Sequence, residues 1–166
     1  MLKTARPELK IHVVEPADAP LLASGIQQDR DAEGSPATTH PSFAPHPIQG
    51  WTPDFVPLVL QEGMDAHAGL VDELFTVSGK EAIEASRGLA RNEGIFTGIS
   101  GGAAFAQALK TASAAPPGSV VLAMLADTAE RYLSTALFAG IEADMDESER
   151  GISMSTPGFQ LPPPEL

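Results

Sequence analysis

The residues whose types and spacing could do chemistry lie in Gly98-Ile99-Ser100-Gly101-Gly102, where one serine hydroxyl is framed by glycines. Glycine lets the backbone turn sharply and approach a ligand closely. The string matches the G-x-S-x-G elbow of serine hydrolases, whose acid and then histidine follow the serine. Here all four histidines, His12, His40, His46 and His67, precede Ser100, and that order counts strongly against a hydrolase. The plainest alternative is that Ser100 caps the helix that follows, a position serine favours. A second corner, Asp127-Thr128-Ala129-Glu130-Arg131-Tyr132, follows the apolar run Val120–Leu125. If both corners end parallel strands they share one sheet edge, where ligands bind in open α/β sheets. That convergence favours a functional reading of Ser100.

Other reactive groups are sparse. The histidines lack metal-ligand spacing and no cysteine joins them, so no metal site is expected, and His40 and His46 read as solvated or turn-packed. The four lysines are Lys3, Lys10, Lys80 and Lys110. Lys80 falls in the first turn of a helix and Lys110 near the end of another, both read as solvated. None has the buried, apolar setting of a Schiff-base amine.

The elements that must position these groups alternate. Ile11–Val14 reads as a buried strand, preceded by a frayed helix end within Lys3–Lys10. From Ala17 to about Pro57 the chain has no convincing period, which marks a functional or disordered loop, with Trp51 and Phe55 packing its end. A short helix starts within Val56–Leu60, and a strand centres on Leu74–Val77. Ser78 with Glu81 forms a capping box. The helix behind it puts Ala82, Ile83, Ser86, Leu89 and Ala90 on one face and stops at Asn92-Glu93-Gly94. Gly94–Thr97 reads as a strand into the serine corner, and a buried helix runs from Ala103 to about Thr111. Val120–Leu125 reads as a central parallel strand covered on both faces, and a last short helix spans about Glu130 to Phe138. The fold class is α/β, a partial doubly wound parallel sheet of about four strands. Residues 1–145 form one domain part, with 146–166 a loosely ordered tail ending in Leu161–Leu166.

A formal charge of −12 argues against nucleic acid, whose binding depends on Lys and Arg meeting phosphates. Without cysteine there is no disulfide framework. No signal-peptide core and no membrane-length apolar run are seen, so the chain reads as soluble and cytoplasmic, without a membrane partner.

Four ordered segments carry a family resemblance. Glu93–Ala104 resembles the E-G-I-x-x-G-I-S-[SG]-G-A stretch of cysteine synthases, and Asp127–Thr135 is similar to their P-D-T-G-E-R-Y-L-S-T stretch. Ile48–Pro57 resembles their I-Q-G-x-x-x-x-F-x-P segment, and Ile11–Pro16 their strand ending in E-P. The resemblance implies a pyridoxal 5′-phosphate enzyme of fold type II, tryptophan synthase β-like, that replaces the acetoxy group of O-acetylserine with sulfide to make cysteine. It makes Ser100 the partner of the cofactor's pyridine nitrogen, a neutral hydroxyl that does not hold the ring protonated as a carboxylate would. By the same resemblance the backbone of Gly50 approaches cofactor and substrate, and Asp127 and Thr128 line the pyridine side. Ala126 and Ala129 depart from the family's proline and glycine, and a Cβ at Ala129 in a positive-φ turn would cost about 1 kcal/mol.

The family's Schiff-base lysine, T-S-G-N-T loop and G-T-G-G-T phosphate cradle are absent from this sequence. The reading is therefore a C-terminal portion that supplies one wall of the cofactor site, with no catalytic residue of its own and no activity alone. The complete enzyme is expected to be a homodimer, with serine acetyltransferase a possible partner. The second substrate stays open among sulfide, thiosulfate and homocysteine. The alternative is a non-catalytic truncated remnant or binding module that folds beside a complementary half.

Overall fold

The computed structural model describes residues 2–155. Its order is α1 (Leu2–Ala5), β1 (His12–Pro16), α2 (Leu58–Ala66), β2 (Glu73–Val77), α3 (Gly79–Glu93), α4 (Ile99–Ala114), two 3-10 turns (Ala129–Tyr132 and Ala136–Phe138) and α5 (Glu147–Met154). Strands β1 and β2 pair in parallel, His12 opposite Glu73 through Pro16 opposite Val77. This is an α/β arrangement with a small parallel sheet.

Local chemistry sets α3. The Ser78 side chain accepts from Glu81 N at 3.2 Å, Glu81 Oε2 accepts from Ser78 N at 3.0 Å, and Gly94 ends the helix at φ 69°. Its buried face carries Ala82, Ser86 and Leu89. Helix α4 crosses this face closely because Gly102 has no side chain: a Cβ there would collide with Ala82 O and lie 2.8 Å from Ser86 Cβ. The main core gathers Ile48, Val77, Ala82, Ile99, Ala103, Ala129, Tyr132 and Leu137.

The segment between β1 and α2 is irregular yet built throughout. Arg30 donates to Val56 O at 2.6 Å, Gln61 Oε1 at 2.9 Å and Gly34 O at 3.1 Å, while Gln28 bridges Thr38 O and Val56 N. Buried Glu15 accepts from Leu22 N and Ala23 N, and a second core holds Ala19, Leu21 and Val56. His40 is buried rather than solvated, between Ile26 O and Ser42 N.

Several expected elements differ. Val120–Leu125 forms no strand: no described strand pairs with it, and Val120, Leu122 and Met124 are 95%, 91% and 74% exposed. An apolar run becomes a strand only where a neighbouring backbone takes its hydrogen bonds. Gly94–Thr97 likewise yields one isolated bridge, with Ile95 and Phe96 exposed, so two strands rather than four are present among the described residues. The last helix is instead the two 3-10 turns, joined by bonds such as Thr135 N to Tyr132 O. Helix α4 starts four residues earlier than expected and buries mainly its first half, Leu109 being half exposed. Within 146–166, Asp146 and Glu149 form a capping box that opens α5, an exposed helix, whereas Leu161–Leu166 lie outside the described residues.

Two carboxylates anchor the ends of this frame. Asp72 takes Lys3, Ile11 N and Lys10, which hold its carboxyl at about 2 against a usual 3.8. Glu81 takes Lys110 at 2.7 Å and the Ser78 cap, and is likewise held at about 2 against 4.5. Lys110 is thus paired rather than simply solvated. Both pKa values are depressed by folding, so their stabilisation is fully present above about pH 4.5 and is lost as pH falls toward 2. Melting temperature measured by circular dichroism should drop across that window, and less steeply in Glu81→Gln and Asp72→Asn. Gly102→Val should destabilise by about 1–3 kcal/mol through overpacking. Gly88→Ala, with open space around the added Cβ, should stabilise by roughly 0.5–1 kcal/mol. Urea denaturation midpoints of the two variants check the contrast.

Candidate active site

The two corners meet through a short antiparallel bridge between Thr97 and Thr128. Thr97 Oγ1 donates to Asp127 O at 3.2 Å, and Gly98 N donates to the same carbonyl at 3.4 Å. From the other side Ser86 Oγ of α3 donates to Thr97 O at 2.7 Å, entirely in the interior. The serine corner is therefore clamped between α3 and the Asp127 corner. Glycines make this possible: a Cβ on Gly98 would run into the Asp127 carboxylate and the Tyr132 ring, and one on Gly101 into Thr97.

Ser100 sits in the first turn of α4, 6% exposed. It is not the helix cap. Gly98 holds that position with extended backbone and no side-chain bond. Tyr132 projects from the first 3-10 turn and its hydroxyl donates to Asp127 Oδ2. Asp127 Oδ1 is buried without a protein partner. Burial pushes the Tyr132 phenol above its ordinary value of 10, the bond and charge of Asp127 push the same way, and the Ser100 hydroxyl and Arg131 pull it down.

The structure thus brings Ser100, Asp127 and Thr128 together, with Thr128 at the surface. Gly50 does not join them in direct contact. It is exposed at φ 87° in a turn whose flanking Ile48 and Trp51 belong to the same core as Ile99 and Tyr132. Tyr132 is the only tyrosine in the chain, and the sequence by itself gives it no role at the site. Ala129 is buried in the core, and the only non-glycine residue with positive φ among those described is Thr52. The expected strain at Ala129 is therefore absent, and its methyl group adds to packing. Ala126 is exposed.

The remaining candidates point elsewhere. His46 engages Thr52 O at 3.1 Å and His12 lies near Thr111 and Glu73, so neither they nor His40 supplies Ser100 with a base. Lys3 and Lys10 pair with Asp72, Lys80 with Glu84 and Lys110 with Glu81. No cluster of potential metal ligands occurs among the described residues. No helix among them is long and apolar enough to cross a membrane.

With its histidines engaged elsewhere, the buried Ser100 hydroxyl lacks the adjacent base that nucleophilic attack requires. Residues 1–127 match the family described as pyridoxal-phosphate dependent enzyme, and the chain belongs to it. Within that family it is a homologue of cysteine synthases and O-ureido-L-serine synthase. It is 43% identical over 148 residues to O-ureido-L-serine synthase of Streptomyces lavendulae, which covers 89% of this chain and 39% of that protein. Identity to a probable cysteine synthase of Bacillus subtilis is 38% over 140 residues, covering 84% of this chain and 38% of that one. A crystal structure of O-ureido-L-serine synthase carrying a lysine-to-alanine change, with O-ureido-L-serine bound, superposes with a TM-score of 0.72 at 42% identity, covering 95% of this chain and 42% of the other. O-acetylserine sulfhydrylase isoform 3 of Entamoeba histolytica gives 0.66 at 30% identity, over 87% and 37%. The chain thus spans about 39% of the length of the first of these relatives.

Because Tyr132 is unique, tyrosinate absorbance reads it alone. The midpoint should lie above 10 and fall in Asp127→Asn, which removes the neighbouring charge. A phenol pKa raised by folding contributes stability that is full below pH 10 and lost as pH climbs through the folded value. The loss of stability as pH climbs above 10 should therefore be less steep in Asp127→Asn.

Proposed function

We propose that this chain provides the ring-nitrogen wall of a pyridoxal 5′-phosphate site in a β-replacement enzyme of the cysteine synthase kind. The observation that carries the reading is the buried Ser100 hydroxyl beside the Asp127–Tyr132 pair, at a corner where Gly98 leaves no side chain. The residues fit that part of the group: a hydroxyl for the nitrogen, an unpartnered buried oxygen on Asp127, and Thr128 at the rim. Gly50, free of a side chain at positive φ, offers backbone to cofactor and substrate. When bound, the cofactor supplies an electron sink that lets a β-substituent leave an amino acid and another nucleophile take its place.

The rest of the site must come from elsewhere. All four lysines are engaged with carboxylates outside the serine corner, and the sequence has no glycine- and threonine-rich phosphate cradle. The accessible surface is 11501 Å², against about 7,800 Å² expected for a self-contained monomer of this mass. The uncovered run Val120–Leu125 supports a complementary polypeptide that completes the sheet, adds the lysine and makes the assembly active. The complete enzyme is read as a cytoplasmic homodimer acting on O-acetylserine and sulfide, with serine acetyltransferase a candidate partner. The likeness to O-ureido-L-serine synthase favours a second reading. O-ureido-L-serine carries oxygen at its β-carbon, so that synthase places an oxygen nucleophile where cysteine synthase places sulfur.

The test is reconstitution with the part of the Streptomyces lavendulae synthase that this chain does not match. The mixture should bind pyridoxal 5′-phosphate with a visible absorption band and turn over O-acetylserine, while this chain alone does neither. Cysteine formed with sulfide supports the first substrate reading, and selective product from an oxygen nucleophile the second. Lysine-dependent cofactor binding by the chain alone overturns the split arrangement, and a mixture that forms but stays inactive identifies a non-catalytic remnant.

A further inference from the structure

Behind the serine corner, the last turns of α3 face the second 3-10 turn across a cavity of about 100 Å³, room for about three water molecules at liquid density. Arg87, Ala90 and Arg91 line it from α3, Phe96 from the chain after the helix stop, and Phe138 and Ile141 from the far side. Phe96 and Phe138 meet edge to face with ring centres 5.8 Å apart, forming an aromatic wall. The hydroxyl at the cavity, that of Ser86, is already spent on Thr97 O. What remains polar is a pair of guanidinium ions. Arg87 gives Nε to Leu137 O at 2.8 Å and Nη2 to Ala136 O and Ala139 O at 3.0 and 2.9 Å. These bonds staple the turn to α3 and leave Nη1 without a partner among the described residues. Arg91 follows on the same helical face, and among the described residues no carboxylate pairs with either arginine. Uncountered cations at an apolar cavity stand out in a chain of net charge −12.

We propose that this cavity is a binding site for a short branched-chain carboxylate, its alkyl branch against Phe96, Phe138 and Ala90 and its carboxylate held at the rim by Arg87 Nη1 and Arg91. A guanidinium meets a carboxylate through paired, charge-assisted N–H bonds. The alkyl carbons gain by leaving water for the aromatic wall. Such a site is mostly apolar, with a few polar groups that fix what enters and how. The lining also discriminates: no carboxylate stands at the cavity to balance an ammonium group, so the acid fits and the corresponding amino acid does not. The site is independent of the reading of Ser100, although its walls reach the back of that corner. Ser86, which fixes the Thr97 carbonyl, and Ala129, next to Thr128, both line the cavity.

The test titrates the full chain, labelled with nitrogen-15, with isovalerate and follows the arginine Nε–H and backbone amide signals by NMR. Saturable shifts should appear at the Arg91 side chain and at the amides of Phe96 and Ile141. Acetate lacks the branch, isovaleramide lacks the charge and leucine adds an ammonium group, so each should bind at least about tenfold more weakly. Arg91→Gln, at an exposed position of α3, should weaken isovalerate by about tenfold. Ala90→Leu, which fills the cavity, should abolish the shifts while the amide signals of α4 stay in place. Absence of saturable shifts in the wild-type chain overturns the proposal. Equal binding of acetate, the amide or leucine overturns it as well, because charge or apolar contact alone then accounts for binding. Shifts that persist unchanged in both variants put the acid elsewhere and overturn the site.

Discussion

The site depends on one small contact, the bridge between Thr97 and Thr128 and the two bonds that Asp127 O receives from Thr97 Oγ1 and Gly98 N. These residues are about thirty positions apart, and little else ties their corners together at the level of the backbone. The contact is held in register from behind. Ser86 fixes the Thr97 carbonyl, and α3 can bring Ser86 there only because Gly102 lets α4 approach it closely. A hydrophobic face, a side-chain-free crossing point and a buried hydroxyl therefore act in series to place a second hydroxyl, Ser100.

Burial gives that placement its chemical weight. In a region sheltered from water each hydrogen bond is stronger, and an unpaired polar atom is correspondingly costly. The corner tolerates one such atom, Asp127 Oδ1, beside a phenol that burial and a neighbouring charge both keep protonated. A native structure retains an unsatisfied buried oxygen where a packing alternative is blocked or where a function uses it. Here it lies against the side-chain-free Gly98 at the start of α4.

Legibility in the sequence followed the range of the interactions involved. The capping box of Ser78 and Glu81, the left-handed stop at Gly94 and the buried face of α3 depend on neighbours within one or two helical turns, and each is where the spacing puts it. The Val120–Leu125 run reads as a core strand because its composition suits one, but a strand is defined by a partner that the described residues do not contain. The ordering of the segment after β1 was likewise hidden. Its staples are single polar side chains, Arg30, Gln28 and Glu15, bonded to distant backbone groups, and such contacts leave no periodic trace.

By itself the sequence determined the identity of the groups that can act: Ser100, Asp127 and Thr128 in their motifs, four lysines, no cysteine, and four ordered segments like those of cysteine synthases. It also determined the local stops and starts, since capping and glycine conformation are properties of a few adjacent residues. Only the tertiary structure decided what each group faces. It buried Ser100 away from every histidine, tied every lysine to a carboxylate, buried Ala129 without strain and joined Tyr132 to Asp127. The direction of a hydroxyl's hydrogen bond is set by what lies across space from it, and that depends on how α3, α4 and the Asp127 corner pack together.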